Sequence, residues 1–272
     1  MSGPERGIDR LLEVMRRLRD PANGCPWDIE QTFATIAPYT IEEAYEVADA
    51  IQREDWDALP GELGDLLLQV IYYTQMGAEA GRFDFDAVAN GIADKMIARH
   101  PHVFGDDQAT DSVTLKTIWE ERKAAERAAK PDGDGSLLAD VPLGFPALTR
   151  ALKLQKRAAR AGFDWGHARP ILAKLREEIA ELEEALDTGA PITEQELELG
   201  DLLFTVVNLA RHLELDPEAA LRATNAKFER RFRSIEAAVA TSGRAVADTG
   251  LDELESLWEA AKAAERAAAD QG

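Results

Sequence analysis

The feature that most restricts how this 272-residue chain can fold is that it repeats itself. Glu62-Leu-Gly-Asp65-Leu-Leu67 returns as Glu198-Leu-Gly-Asp201-Leu-Leu203, and Glu42-Glu43-Ala-Tyr-Glu46 is paralleled by Glu177-Glu178-Ile-Ala-Glu181. Lys95-xxx-Arg99 has its counterpart in Lys227-xxx-Arg231. Trp119-Glu-x-x-Lys-Ala-Ala-Glu-Arg127 has its counterpart in Trp258-Glu-x-x-Lys-Ala-Ala-Glu-Arg266. Matches in one order describe a single structural unit used twice, at a period too long for a solenoid. Between the copies, residues 130–146 collect Pro131, Gly133, Gly135, Pro142, Gly144 and Pro146, the composition of a linker. The expected organisation is a helical domain over 1–130, a linker over 131–146 and a second helical domain over 147–272.

Long stretches rich in Ala, Leu, Glu, Lys and Arg favour helix, and the alternation expected of strands is absent. The fold class is therefore all-α, as two related helical-bundle modules. Each half offers few long amphipathic helices, so four-helix cores completed by dimerisation are expected. One helix is expected to begin near Pro170, with Ile171, Leu175, Ile179, Leu182 and Leu186 on one apolar stripe. Glu178 and Glu181 edge that stripe, and Lys174 lies one turn earlier on the same side. In the next helix Glu198 and Asp201 flank Leu199, Leu202, Leu203 and Val206.

Carboxylates three apart on a helix are neighbours, with Cβ atoms about 5–6 Å apart. Two antiparallel helices packed through their stripes would bring Glu178, Glu181, Glu198 and Asp201 together. The first half offers the same set in Glu43, Glu46, Glu62 and Asp65. An anionic cluster of oxygen donors suits Mg²⁺, with Mn²⁺ as a substitute. Gly64 and Gly200 sit inside these helices, where glycine costs about 1 kcal/mol relative to alanine. Close approach by a neighbouring helix, a metal or a phosphate would account for them. The bland alternative is solvated surface, and Glu43 has a local one besides, since Thr40-Ile-Glu-Glu43 matches a capping box. Duplication of both pairs, each beside an apolar stripe, favours the metal. A di-iron bundle would need Glu-x-x-His, and none of His100, His102, His167 and His212 follows a glutamate at that spacing.

Acidic residues outnumber basic ones 51 to 31, for a net charge of −20 and a pI near 4.6. Such a surface repels duplex nucleic acid and anionic membranes, so neither is expected as a partner. It would also repel a free polyphosphate, which makes a divalent cation and local Lys or Arg necessary for that class of substrate. The single cysteine, Cys25, excludes an internal disulfide and a thiolate zinc site, and fits a cytoplasmic location. No signal core or membrane span is visible.

These residues resemble the MazG family and the wider group of all-helical nucleotide pyrophosphohydrolases with an ExxE…ExxD signature. The likeness includes Gly24-Cys-Pro-Trp-Asp28 and Arg99-His-Pro-His-Val-Phe104 in the first half. In the second it includes Gly162-Phe-Asp-Trp165, Asn208-Leu-Ala-Arg211 and Asn225-Ala-Lys-Phe-Glu-Arg-Arg-Phe232. The resemblance implies hydrolysis of ribo- or deoxyribonucleoside triphosphates, ATP among them, to monophosphate and pyrophosphate. It implies Mg²⁺ on the carboxylates, a spare carboxylate as base, and phosphates held by Lys227 and Arg231, with Lys174 as a third cation. Trp258 would offer a face to base or ribose, and Lys95 and Arg99 are the first-half equivalents. The second half is the expected catalytic one, because Tyr39 stands where the second half has Lys174. Two other classes remain open: a Mg-nucleotide-binding regulator without turnover, and a helical interaction module that binds neither.

Overall fold

The structure is a computed structural model that describes residues 6–105, 111, 118–119 and 136–269. Among these, every regular element is helical. The remainder of the first Trp-Glu string, residues 120–127, and the linker residues 130–135 lie outside the described residues. Two compact units emerge, Met1–Arg127 and Ala128–Gly272.

In the first unit α1 (Gly7–Leu18), α2 (Pro26–Glu30), α3 (Phe33–Gln52), α4 (Leu59–Glu79), α5 (Phe85–Arg99) and α6 (Pro101–Phe104) follow in order. Thr32 starts α3: its hydroxyl accepts from the Thr35 N–H, and the Thr32 N–H donates back to Thr35 Oγ1 at 2.8 Å. That reciprocal cap satisfies two orphan groups at the helix end. It removes the alternative capping box at Thr40, which lies inside α3 with its hydroxyl 2.7 Å from Tyr73 Oη. Glu43 is thus mid-helix and has no capping role. Contacts from Thr40 to Tyr73 and from Glu43 to Gln69 run in opposite directions along α3 and α4, so the pair is antiparallel. The core of this unit is Met15 of α1, Ile36 of α3, and Ile71, Tyr72 and Met76 of α4.

The second unit contains α7 (Ala147–Arg160), α8 (Ala168–Asp187), α9 (Ile192–His212), α10 (Pro217–Thr241), a 3₁₀ turn (Val246–Asp248) and α11 (Leu251–Ala269). The α8–α9 pair corresponds to α3–α4, and α7 packs on α9 as α1 packs on α4. α8 begins at Ala168, two residues before Pro170.

The expected stripe on α8 needs correction. Ile171 and Ala185 are buried, and Glu178 is only 4% exposed, whereas Ile179 is 44% and Leu186 56% exposed. On α9 the buried residues are Thr205, Val207 and Asn208, while Leu199, Leu203 and Val206 face outward. Glu178 is turned inward while Glu181 and Asp201 stay exposed and Glu198 is half-buried, and both helices leave part of their apolar stripe uncovered. Periodicity measures the width of an apolar stripe, and packing decides which side of it is covered. No helix among the described residues is long and apolar enough to cross a membrane.

Candidate active site

Three carboxylates converge in each unit. Glu178, Glu198 and Asp201 present oxygens within 4.8 Å of one another, as do Glu43, Glu62 and Asp65. Each set spans two antiparallel helices, with the ExxD pair one turn apart on the second. Of the four expected in each half, Glu181 and Glu46 stand outside the converging set. Glu181 lies beside Glu178 on the same helix edge. Burial and the Glu178 charge push its carboxyl above the usual range, against the opposing pull of Lys174.

The donor chemistry fits a hard divalent cation. All donors are carboxylate oxygens, the donor type that Mg²⁺ takes at about 2.1 Å. Without a cation the arrangement is repulsive. In the first unit burial pushes the Glu43 carboxyl up, and the charges of Glu46, Asp65 and Glu42 add to the effect. In the second unit Lys174 Nζ lies 2.9 Å from Glu178 Oε1 and 2.7 Å from Glu177 Oε1, and the two carboxylates raise the lysine pKa. Among the described residues, no atom outside their own helices lies within 4 Å of the position a Cβ would take on Gly64 or Gly200, so no other helix of the same chain packs on either glycine.

Beside the second cluster opens a cavity of about 450 Å³. Lys174, Glu178 and Asp201 line one part of it, and Trp165, Phe163, Leu154 and Phe204 supply apolar wall. Gln155, Thr205, Asn208 and Arg211 add polar groups to the lining. Arg211 is held in a network: Nη1 donates to Asp164 Oδ2 at 3.0 Å, and Nε donates to Asn208 Oδ1 at 3.1 Å. His212 Nε2 lies 2.8 Å from Asp164 Oδ1. The Arg211 guanidinium, with help from His212 and the Trp165 N–H, holds the Asp164 carboxyl well below the usual carboxylate range.

The other expected residues fall elsewhere. Arg231 donates to Glu265 Oε2 at 2.8 Å and its guanidinium lies 5.4 Å from the Trp258 ring centroid. Trp258 also packs on Phe228. Arg99 repeats the arrangement over Trp119 at 5.8 Å. Lys227 and Lys95 are exposed. None of Lys227, Arg231 and Trp258 lines the cavity. Asp164, Asn208 and Arg211 lie within the MazG-like strings without an expected role, and Gln155 lies outside those strings. The signal available for Gln155 was a polar residue on the buried face of an otherwise amphipathic helix.

The MazG nucleotide pyrophosphohydrolase domain matches this sequence twice, over residues 31–104 and 168–235. The two matches begin and end around the two carboxylate clusters. The chain belongs to the MazG family. It is 54% identical to the nucleoside triphosphate pyrophosphohydrolase of Escherichia coli (strain K12), over 94% of this chain and 97% of that one. It is 40% identical to the nucleoside triphosphate pyrophosphohydrolase/pyrophosphatase MazG of Thermotoga maritima, over 95% of this chain and 97% of that one. An uncharacterized Bacillus subtilis protein, YabN, is 44% identical over 93% of this chain and 51% of its own length.

Proposed function

We propose that this MazG-family chain hydrolyses nucleoside triphosphates to nucleoside monophosphate and pyrophosphate, using Mg²⁺, or Mn²⁺ in its place, held by Glu178, Glu198 and Asp201. The observation that carries this reading is a nearly buried glutamate, Glu178, converging with two more carboxylates at an apolar-walled cavity. Burying an anion is costly unless cations compensate it, and beyond the single charge of Lys174 the three converging carboxylates leave negative charge for a divalent cation to balance. A bound Mg²⁺ supplies charge neutralisation at phosphate oxygens and acidifies a water at the α-phosphorus.

The chain's own residues do the rest. Glu181, beside Glu178 and outside the converging three, is free to take the proton of the attacking water. Lys174 offsets charge at the cluster mouth. Lys227 and Arg231 hold the outer phosphates, for which Arg231 must exchange its partner Glu265. The outward apolar faces of α8 and α9 fit a second copy of the chain, which would complete a four-helix core. The equivalent faces of the first unit, with Ile41, Tyr45, Leu63 and Leu67 exposed, fit the same scheme.

The test is pyrophosphate release across a panel of nucleoside triphosphates, with and without Mg²⁺, and phosphorus NMR of the products. Pyrophosphate and monophosphate are expected, and early orthophosphate without pyrophosphate would overturn the site of attack. Nucleotide binding with no turnover would leave a regulator, and no binding at all an interaction module.

A further inference from the structure

The cavity contains a buried acceptor with nothing to accept. Gln155 is 7% exposed and lines the cavity. Its Nε2 donates to the Phe204 carbonyl at 2.8 Å, which fixes the amide, because only the NH₂ end can face a carbonyl oxygen. Oε1 is thereby turned the other way and has no hydrogen-bond partner among the described residues. Buried polar atoms almost always find one. Asn208, on α9 and 8% exposed, lines the same cavity in the complementary state. Its Oδ1 already accepts from Arg211 Nε at 3.1 Å and Nη2 at 2.8 Å. Its NH₂ is therefore what it offers to a ligand.

A fixed acceptor and a fixed donor in an apolar-walled cavity match the edge of a nucleobase. Adenine and cytosine present an amine beside a ring nitrogen, and guanine and uracil a ring N–H beside a carbonyl. We propose that Gln155 Oε1 accepts an N–H from the base edge while Asn208 Nδ2 donates to the acceptor next to it. Because every base offers both groups, the pair registers that a base is present without selecting one of the four. This inference rests on a nucleoside triphosphate being the substrate.

The first unit supplies a natural comparison. Tyr72 stands seven residues after Asp65, as Asn208 stands seven after Asp201. Arg10-Leu-Leu-Glu-Val-Met15-Arg-Arg17 aligns with Arg150-Ala-Leu-Lys-Leu-Gln155-Lys-Arg157. Met15 and Tyr72 are buried members of one apolar core. The corresponding pair is thus packing in the first unit and ligand recognition in the second.

The test uses the full-length protein with Mg²⁺ and non-hydrolysable α,β-methylene triphosphates of adenosine and of purine riboside, which lacks the amine and so has no edge donor. Titration calorimetry should show the adenosine analogue binding about tenfold more tightly. Gln155→Met puts the first unit's own residue at that register and conserves volume. It should erase the difference between the analogues while leaving inorganic tripolyphosphate binding unchanged. Gln155→Leu serves the same purpose should the methionine variant misfold. Equal affinities in the wild type, a difference that persists in the variants, or a parallel loss of tripolyphosphate binding would each overturn the proposal. If the difference appears and Gln155→Met erases it, yet ATP yields no pyrophosphate, the hydrolase reading falls and base recognition stands.

Discussion

The two units each bring three corresponding carboxylates within 4.8 Å of one another and differ in what surrounds them. Around Glu178 are Lys174 and a 450 Å³ cavity. Tyr39 occupies the position of Lys174 in the first unit. There the space between α1 and α4 is filled by Met15, Tyr72 and their neighbours, with Phe33 stacked on Tyr73. A duplicated carboxylate scaffold therefore sits in two different surroundings. One copy spends its interior on packing, which stabilises that unit. Among the described residues both copies leave buried polar atoms without partners, Gln69 Oε1 and Tyr72 Oη in the first and Gln155 Oε1 in the second, and the second sets its own against a 450 Å³ cavity that can admit a ligand. A carboxylate constellation alone does not make a site equivalent to its duplicate.

The largest effect expected is loss of the metal. Excess EDTA should abolish pyrophosphate release and Mg²⁺ restore it, because the three carboxylates and the −20 chain otherwise repel a triphosphate. Turnover that survives EDTA would remove the common basis of the two clusters. Next comes the direct contrast between halves. Glu178→Gln with Glu181→Gln should lower kcat on the order of 10²-fold or more, since cation positioning supplies several kcal/mol of barrier reduction. Glu43→Gln with Glu46→Gln should change kcat by less than about threefold. The reverse ranking in steady-state kinetics, with circular dichroism confirming folded variants, would assign turnover to the first unit.

A smaller effect is expected at Asp164, which has no counterpart role in the first unit. Its folded pKa is depressed, so its stabilising contribution is present above the ordinary carboxylate pKa and is lost as pH falls through the folded value. Asp164→Asn should cost about 1.5–3 kcal/mol in denaturant unfolding at pH 7, and the gap to wild type should close in strong acid. KM should rise as Arg211 and Asn208 lose their anchor. A gap independent of pH would show that the charge is not what Arg211 needs.

The smallest effect has the opposite sign. The folded pKa of Glu43 is raised, so its ionisation disfavours the fold as pH rises through the unfolded and then the folded value. Metal-free Glu43→Gln should melt slightly higher than wild type at pH 7, by no more than about 2 °C, and match it in acid. Added Mg²⁺ should stabilise the wild type more than the variant. A lower melting point for the variant at pH 7 without metal would contradict the repulsive character of the first cluster.

The amino-acid sequence by itself determined the helical class, the duplication and the placement of ExxE and ExxD on successive helices. These are local properties: helix propensity accumulates along a stretch, and residues three apart are neighbours on any helix. The asymmetry at Lys174 was legible for the same reason, since it lies one turn from Glu178 on one helix. Tertiary structure decided the rest. It turned α8 so that Glu178 is buried and Ile179 exposed, left Glu181 outside the converging three, and set Arg231 and Trp258 against Glu265 and Phe228 instead of in the cavity. It also joined Gln155 of α7 to Asn208 of α9 across a space that neither helix encodes alone. The rotation of one helix against another depends on the summed packing of many side chains, and no periodicity within a single helix carries that information.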